Sequence, residues 1–591
     1  MAVVLGINSY HPDSSISIIY DGVVAFALSE ERVGQRIKHT NFFPLNALKA
    51  GLAFCNLKLS DIDYIALGGD SKANFANKLA YGIGASVSSA KSALQSLKRR
   101  QQQSRFSIIS QINSINYQED FGSLRANIEV IAVEHHLCHI ASTYFTSGLE
   151  ERVAGFSYDG SGDFVSMMVA QCDGGKIKVL KKQYLPHSMG FFYTGMCQYL
   201  GFDRFGEEYK VMGLSPYGED EFSDRVKTLI EPSNRQNWFN LNKNFFNMHS
   251  GGTAGSSNHN LEMGRIYSDA LANQIGIVAR DRSEEIDQSH KNLAKSVQLR
   301  FEEVALSAIN RALIASQSTN LVMAGGCALN GVVNGKILSK GIAEKVWLGP
   351  ASSDDGISLG AALWVQNQKL ARLHFKMSNP YLGPSVGETE KNILAKTSKY
   401  FRFKLPDKSK KYELAAHLIA RGYVVGWCSG RSELGARALG NRSIFANPLD
   451  LKMRDVINAK IKKREGFRPF APSVLDEDQG IYFEQKLESP FMTFVVNVRP
   501  EWRNKLPAIT HVDGTARVQT VVKNSSSELW ELLSAVKSQT GVGMLLNTSF
   551  NENEPIVQTG VEAHRCFERT DLDCLFLDNH FFSKMPIDEF T

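Results

Sequence analysis

The run Arg431-Ser-Glu-Leu-Gly-Ala-Arg437-Ala-Leu-Gly-Asn-Arg442-Ser443, with Lys462-Lys-Arg464-Glu-Gly-Phe-Arg468 close behind, sets seven fixed cations among Gly, Ser and Asn. Only Glu433 and Glu465 stand within it as partners, which favours an anion pocket over an ion-paired surface helix. Arg437, Lys462, Arg464, Arg468 and Arg517 come from separate segments, and Asn547 and Ser549 share the turn Asn547-Thr-Ser-Phe-Asn551. Their convergence on one pocket suits a doubly charged phosphate or a nucleoside triphosphate. Some of these cations are then structural, and Arg442 and Lys463 are the ones expected at the surface.

A second constellation has the composition of a metal centre. His135 and His139 lie four apart in a stretch that reads as helical, so both imidazoles fall on one face, as two metal ligands require; a pair of polar helix residues has the same spacing. Asp159 and Asp354 each follow a strand signal and sit in Gly/Ser-rich turns where a carboxylate can point into a cleft. Two imidazoles and two carboxylates suit iron, manganese or zinc better than calcium. Gly325-Gly326-Cys-Ala-Leu-Asn330 ends a strand and frees backbone N–H groups for a phosphate, or simply packs tightly. Lys210 stands near a Gly-rich bend. His11, in the first turn of the chain, is either a solvated histidine or a base at the mouth of a cleft.

The elements that must position these groups alternate strand and helix, which predicts an α/β fold. Val3 to Asn8 and Ile16 to Tyr20 read as a hairpin closed by Asp21-Gly22, and Val153 to Ala170, closed by Asp173-Gly174-Gly175, repeats it. Helices are expected at Leu45 to Cys55, Ala73 to Ser96, Leu293 to Ala315 and Ile357 to Trp364, with Ala73 to Gln103 as an insertion. Further strands are read at Leu321 to Gly326 and Lys345 to Pro350. The pattern resets at the Pro/Gly cluster Asn379 to Pro384, so the domains are placed at 1–376 and 377–591. Strands of the second domain are read at Val424 to Cys428, Phe494 to Val498, Val518 to Val522 and Gly543 to Asn547.

With 591 residues and 43% hydrophobic content, the chain can bury more than one core. A net charge of +5 with no long basic tract argues against a nucleic-acid partner. Eight cysteines without CxxC spacing suit reduced thiols. With neither a signal-type leader nor an apolar run of spanning length, a soluble cytoplasmic protein without a membrane partner is expected.

Several motifs, in order, resemble the O-carbamoyltransferases of the NodU/CmcH family. They are His11-Pro-Asp-Ser-Ser, Glu30-Glu31-Arg32 to Lys38-His39, His135-His136-x-x-His139, Asp159-Gly160, Gly325 to Asn330, Arg437 to Ser443, Phe467 to Ser473, His511 to Thr520 and Leu546 to Asn551. The resemblance covers nearly the whole chain. It implies a duplicated first domain of the actin-like ATPase (ASKHA) type and a second domain of the YrdC-like type. It also implies an activity: carbamoyl phosphate and ATP, with its magnesium, give carbamoyladenylate, whose carbamoyl group passes to a hydroxyl of a small natural product. The residues carried over for the phosphate and nucleotide pocket are Arg437, Lys462, Arg468, Arg517 and Ser549, with Met492 lining it. His135, His139, Asp159 and Asp354 map onto an iron-type site, and His11 and Lys38 onto positions near the transferred group. Two departures stand out: Leu434-Gly-Ala436 where the family usually has Phe-Gly-Pro, and Asn292 where Asp is common. A tRNA threonylcarbamoylation enzyme is the alternative reading, disfavoured because it calls for a broad basic face.

Overall fold

The apolar run of β1 (Val3–Asn8) is buried at every position because strands flank it on both sides. β2 (Ser15–Tyr20) and β3 (Val23–Ser29) follow it antiparallel, while β4 (Tyr64–Gly68) and β5 (Glu129–Val133) add parallel to its other edge, in the order β3-β2-β1-β4-β5. A second sheet uses β6 (Val153–Gly162), β7 (Val165–Asp173), β8 (Lys176–Tyr184), β9 (Asn320–Ala324) and β10 (Lys345–Trp347). Its order is β8-β7-β6-β9-β10, with the same antiparallel and parallel pairings. The two sheets therefore repeat one topology strand for strand. Each hairpin is a strand longer than the sequence reading had it. β8 reads KIKVLKKQY and lies half-buried to exposed except at Gln183, and such charged edge strands resist unwanted pairing while hiding the apolar alternation of a strand.

The computed structural model describes residues 2–83, 104–117, 121–247, 253–257 and 260–586, and the chain divides into two units, Met1–Met377 and Ser378–Thr591. In the first unit α1 (Leu45–Cys55) packs on the first sheet, with Gly51 against Ile16, Ile18 and Phe26. α2 (His135–Tyr144) follows β5, α3 (Gln288–Ser316) precedes β9, and α4 (Ile357–Lys369) follows β10 after a short turn. Glycines bring α4 into backbone contact with its neighbours: a Cβ on Gly6 would overlap the Ser358 carbonyl, and one on Gly360 the Cys138 carbonyl. Of the expected insertion, Phe75–Ile83 is helical; residues 84–103 lie outside the described residues.

The second unit is built on β11 (Phe401–Lys404), β12 (Val425–Cys428), β13 (Arg442–Ala446), β14 (Ala471–Leu475), β15 (Phe494–Asn497), β16 (Thr515–Val521), β17 (Met544–Ser549), β18 (Cys574–Leu577) and β19 (His580–Ser583). They form one mixed sheet in the order β11-β19-β18-β12-β13-β17-β14-β16-β15. Alternate strand residues feed two cores, as the two-residue period of a strand requires. Val425, Trp427, Phe445 and Leu545 pack with α5 (Lys408–Ala420) and α6 (Ser527–Thr540). Ile444, Ala446, Met544 and Leu546 pack with Ala563, Cys566 and Phe567 of α7 (Gly560–Arg569). The fold is mixed α/β, and no helix among the described residues is long and apolar enough to cross a membrane.

Candidate functional site

Three elements of the first unit deliver one cluster of four donor residues. The first turns of α2 carry His135 and His139, the outgoing end of β6 carries Asp159, and the turn before α4 carries Asp354. Donor atoms of all four lie within 4.8 Å of one another. His139 Nε2 is 3.2 Å from Asp159 Oδ2 and 3.3 Å from Asp354 Oδ1, and His135 Nε2 is 3.5 Å from Asp354 Oδ1 and 3.9 Å from Asp159 Oδ2. Metal bonds of about 2.1 Å in tetrahedral array put donors about 3.4 Å apart, so the spacing fits a mid-row divalent cation. His135 Nε2 and Asp354 Oδ1 are buried without a hydrogen-bond partner, which an ion between the four donors would supply. The third imidazole of the helix is structural: His136 is hydrogen-bonded through Nδ1 to Ser157 Oγ (2.6 Å) and through Nε2 to the Val165 carbonyl (2.9 Å).

Electrostatics sets the two ligand imidazoles apart. Burial pulls His135 below the usual histidine range. Burial acts the same way on His139, but its hydrogen bond to Asp159 and the nearby Asp354 carboxylate prevail and hold its pKa up to about 9. Against burial, the imidazoles keep Asp159 well below the carboxylate range, and His11 with His135 does the same for Asp354. The carboxylate pair thus keeps a proton on His139, and metal binding must expel it.

Local structure fixes these donors. Asp163 Oδ2 accepts the His135 backbone N–H (2.9 Å) and the Asp70 N–H (2.8 Å), anchoring the start of α2. Gly162 lies so close that a Cβ there would overlap the His135 ring. Gly325 has φ +97° and its Cβ would overlap the Tyr158 carbonyl, so only glycine fits; Gly326 lies against Asp159. Asn8 Nδ2 donates to the carbonyls of Pro12 (3.1 Å), Asp13 (3.0 Å) and Asp354 (3.1 Å), tying the His11 turn to the Asp354 turn. His11 Nδ1 then meets Asp354 Oδ2 at 2.6 Å. Neither Asn8 nor Asp163 was singled out from the sequence, since each acts through contacts remote in the chain.

In the second unit the central charge is Arg517, half-buried on β16. Burial pushes its pKa well below the usual guanidinium value, and the charges of Arg437, Arg464 and Arg468 push it further in the same direction. Its Nε has no hydrogen-bond partner among the described residues. Like charges gathered around a half-buried guanidinium make this arrangement a candidate anion site. Glu433 does not neutralise it, because its Oε1 accepts the backbone N–H groups of Leu439 (2.9 Å), Asn441 (2.8 Å) and Arg442 (3.1 Å) and folds the loop. Glu465 lies 3.7 Å from Arg468.

Other expected site residues have varied surroundings. Lys462 donates to the Asn551 carbonyl (2.8 Å), Asn551 Oδ1 (2.7 Å) and Ser549 Oγ (3.3 Å), so it braces the turn after β17. Asn547 is buried and donates to Ser473 Oγ at 2.9 Å, and Met492 is buried with φ +57°. Lys210 pairs with Glu207 at 2.8 Å. Asn330 caps the helix Gly331–Ser339 and donates to Gln298 Oε1 at 3.1 Å. Lys38 is half-buried beside His39. One expectation is overturned: Arg442 is not a surface residue. It is 0% exposed, and its guanidinium serves the carbonyls of Ser429, Gly430, Asn441, Gln558 and Pro384. Asn292, the departure in α3, donates to Glu221 Oε2 at 2.7 Å, where an aspartate would set two carboxylates together.

Comparison with known proteins accounts for both units. The carbamoyltransferase N-terminus model matches residues 3–363 and the carbamoyltransferase C-terminus model residues 416–584. The nodulation protein NolNO of Sinorhizobium fredii is 35% identical over 98% of this chain and 80% of its own. NolO of Bradyrhizobium diazoefficiens is 38% identical over 77% of this chain and 79% of its own. The protein sll1178 of Synechocystis sp. is 33% identical over 99% and 97%. Among solved structures, full-length HypF aligns at a TM-score of 0.31 and 14% identity over 63% of this chain and 47% of that one, too remote to inform the site.

Proposed function

The chain belongs to the carbamoyltransferase family and is a carbamoyltransferase of the NodU type, and from that premise we propose an ATP-dependent O-carbamoyltransferase working in two steps. In the second unit, YrdC-like in this reading, water releases phosphate from carbamoyl phosphate, and the carbamate oxygen attacks the α-phosphate of ATP, giving carbamoyladenylate and pyrophosphate. In the first, of the actin-like type, the carbamoyl group moves to a hydroxyl of a small natural product. The single observation carrying this division is Arg517, half-buried among the like charges of Arg437, Arg464 and Arg468, with no hydrogen-bond partner on its Nε among the described residues. Oriented guanidinium groups stabilise phosphate oxygens as charge builds on them, with no reorganisation at the moment of reaction.

For transfer, His135, His139, Asp159 and Asp354 would hold a divalent cation, ferrous iron being the family's choice. Bound there, it supplies Lewis acidity toward the adenylate phosphate. Asp354 links that ion to the base: Oδ1 faces the cluster while Oδ2 holds His11 Nδ1, leaving His11 Nε2 to take a proton. The acceptor oxygen attacks the carbamoyl carbon, its proton passes to His11 Nε2, the carbon–oxygen bond to the phosphate breaks and AMP leaves. Gly325, Gly326 and Lys38 line the approach of the nucleotide in this reading.

The test separates the half-reactions. Carbamoyl-phosphate-dependent pyrophosphate release and carbamoylation of a hydroxyl acceptor, read by mass, are measured on protein stripped by chelator and returned to magnesium alone. Stripping and His139→Ala are expected to leave the first within about twofold and to reduce the second by about 100-fold or more. Equal loss of both rejects the two-site reading.

A further inference from the structure

Three buried polar side chains of the second unit, Ser473, Gln519 and Asn547, form a chain that no step above uses. On the reading of this unit as the carbamoyl phosphate site, on which the role depends, we propose that Asn547 Oδ1 accepts an N–H of the carbamoyl group and so selects it against isosteric acyl phosphates. The three residues stand on neighbouring strands, β14, β16 and β17. Their direction is fixed from outside the group. The Leu439 carbonyl can only accept, so at 2.9 Å it takes Gln519 Nε2, and Gln519 Oε1 must face the other two. Ser473 Oγ donates to that oxygen at 2.6 Å, and Asn547 Nδ2 donates to it at 3.2 Å and to Ser473 Oγ at 2.9 Å. Asn547 Oδ1 is thereby turned away from the group, buried and without a hydrogen-bond partner among the described residues. A buried carbonyl oxygen in that state carries a desolvation cost that the N–H of a ligand removes.

The sheet sets this acceptor beside the anion end of the unit. Side chains alternate along a strand, so Arg517 shares the face of Gln519, and Ser549 that of Asn547. Leu475, Val521 and Leu545 continue the same face into the core with α5 and α6. The face therefore runs from apolar packing, through the buried amides, to Arg517 and to Ser549, whose hydroxyl Lys462 reaches at 3.3 Å. Leu439 stands two residues after Arg437, so the cation loop meets this face where the amides lie. One step of two residues along a strand is about 7 Å. That span suits a phosphate on the cations with an –NH2 one carbonyl away, and is too short for an adenine amino group beyond a ribose. The –NH2 also stays unchanged from carbamoyl phosphate to carbamoyladenylate, so one acceptor serves both bond changes.

Two stable phosphonates, phosphonoacetamide and acetonylphosphonate, differ only in carrying –NH2 or –CH3 on the carbonyl. Their affinities for the full chain, and that of inorganic phosphate, are measured by isothermal titration calorimetry. The unaltered protein is expected to hold the amide about tenfold or more tighter than the ketone, because a site built for an N–H rejects the analogue lacking it. Asn547→Leu is expected to bring the pair within about twofold of each other. Equal affinities in the unaltered protein, with phosphate bound, overturn the role of Asn547 and leave the anion pocket standing; no binding of any of these anions removes both. Asn547→Leu keeping the amide preference overturns the role too, and loss of a preference for ATP over inosine triphosphate in its stead would assign Asn547 to the adenine amino group. Should Asn547→Leu fail to fold by circular dichroism, Gln519→Met, which frees the Asn547 amide to turn over, decides on the same criterion.

Discussion

Arg517 shows what a single residue can declare. Its half-buried guanidinium feels the charges of Arg437, Arg464 and Arg468, so the folded protein bears a repulsion that a bound anion relieves. Removing such an uncompensated charge for an apolar group of similar length is often stabilising by about 1–4 kcal/mol. Arg517→Met is therefore expected to raise the melting temperature of the substrate-free protein while lowering carbamoyl-phosphate-dependent pyrophosphate release by about 100-fold or more. A lower melting temperature with activity retained would mean that Arg517 is a structural ion-pair residue. Arg442 makes the opposite case: fully buried, its guanidinium is engaged by five backbone carbonyl oxygens. Residue type and local spacing look alike for the two, and only tertiary contacts separate them.

At the scale of elements, placement rests on close approach. A Cβ at Gly162 overlaps the His135 ring, whereas one at Gly387 meets nothing within 4 Å. Gly162→Ala is expected to cut bound metal by about tenfold or more, through displacement of one ligand, with Gly387→Ala unchanged as the control; metal analysis after dialysis distinguishes them. Much of the element order was legible in sequence. Apolar periodicity marked α1 from Leu45 to Cys55 and α3 nearly at its ends, and the strand carrying Asp159 and the one preceding Asp354 were read near where they lie. The His135 and His139 spacing was legible too, because a helix turns every 3.6 residues wherever it occurs. β3 and β8 were missed, β8 because its lysines mask the alternation. The supports of the site were not legible at all: Asn8 reaches Asp354 across 346 positions of chain, and no local pattern reports such a contact.

For the whole molecule, pH couples the ion to stability. The His139 pKa stands at about 9 in the folded chain against about 6.5 for an ordinary histidine. A group raised on folding binds its proton more tightly in the native state, so its stabilising effect is fully present below about pH 6.5 and lost as pH rises through 9. Chelated protein should accordingly lose melting temperature between those limits, and His139→Gln should flatten the profile. Metal should behave inversely, releasing about one proton per ion bound below pH 9, measurable by calorimetry in buffers of different ionisation enthalpy. A flat profile together with proton-neutral binding would place the proton elsewhere.

The four ligands of the first unit arrive at very different times. During synthesis the paired histidines leave the ribosome early, while Asp354, tethered to Asn8 across most of the unit, emerges last. Long-range closure of this kind is slow to form and quick to be lost. A chain interrupted before that aspartate retains both imidazoles yet has no cage for them, so binding of a metal at the proposed site would in effect check that translation of the whole unit has finished.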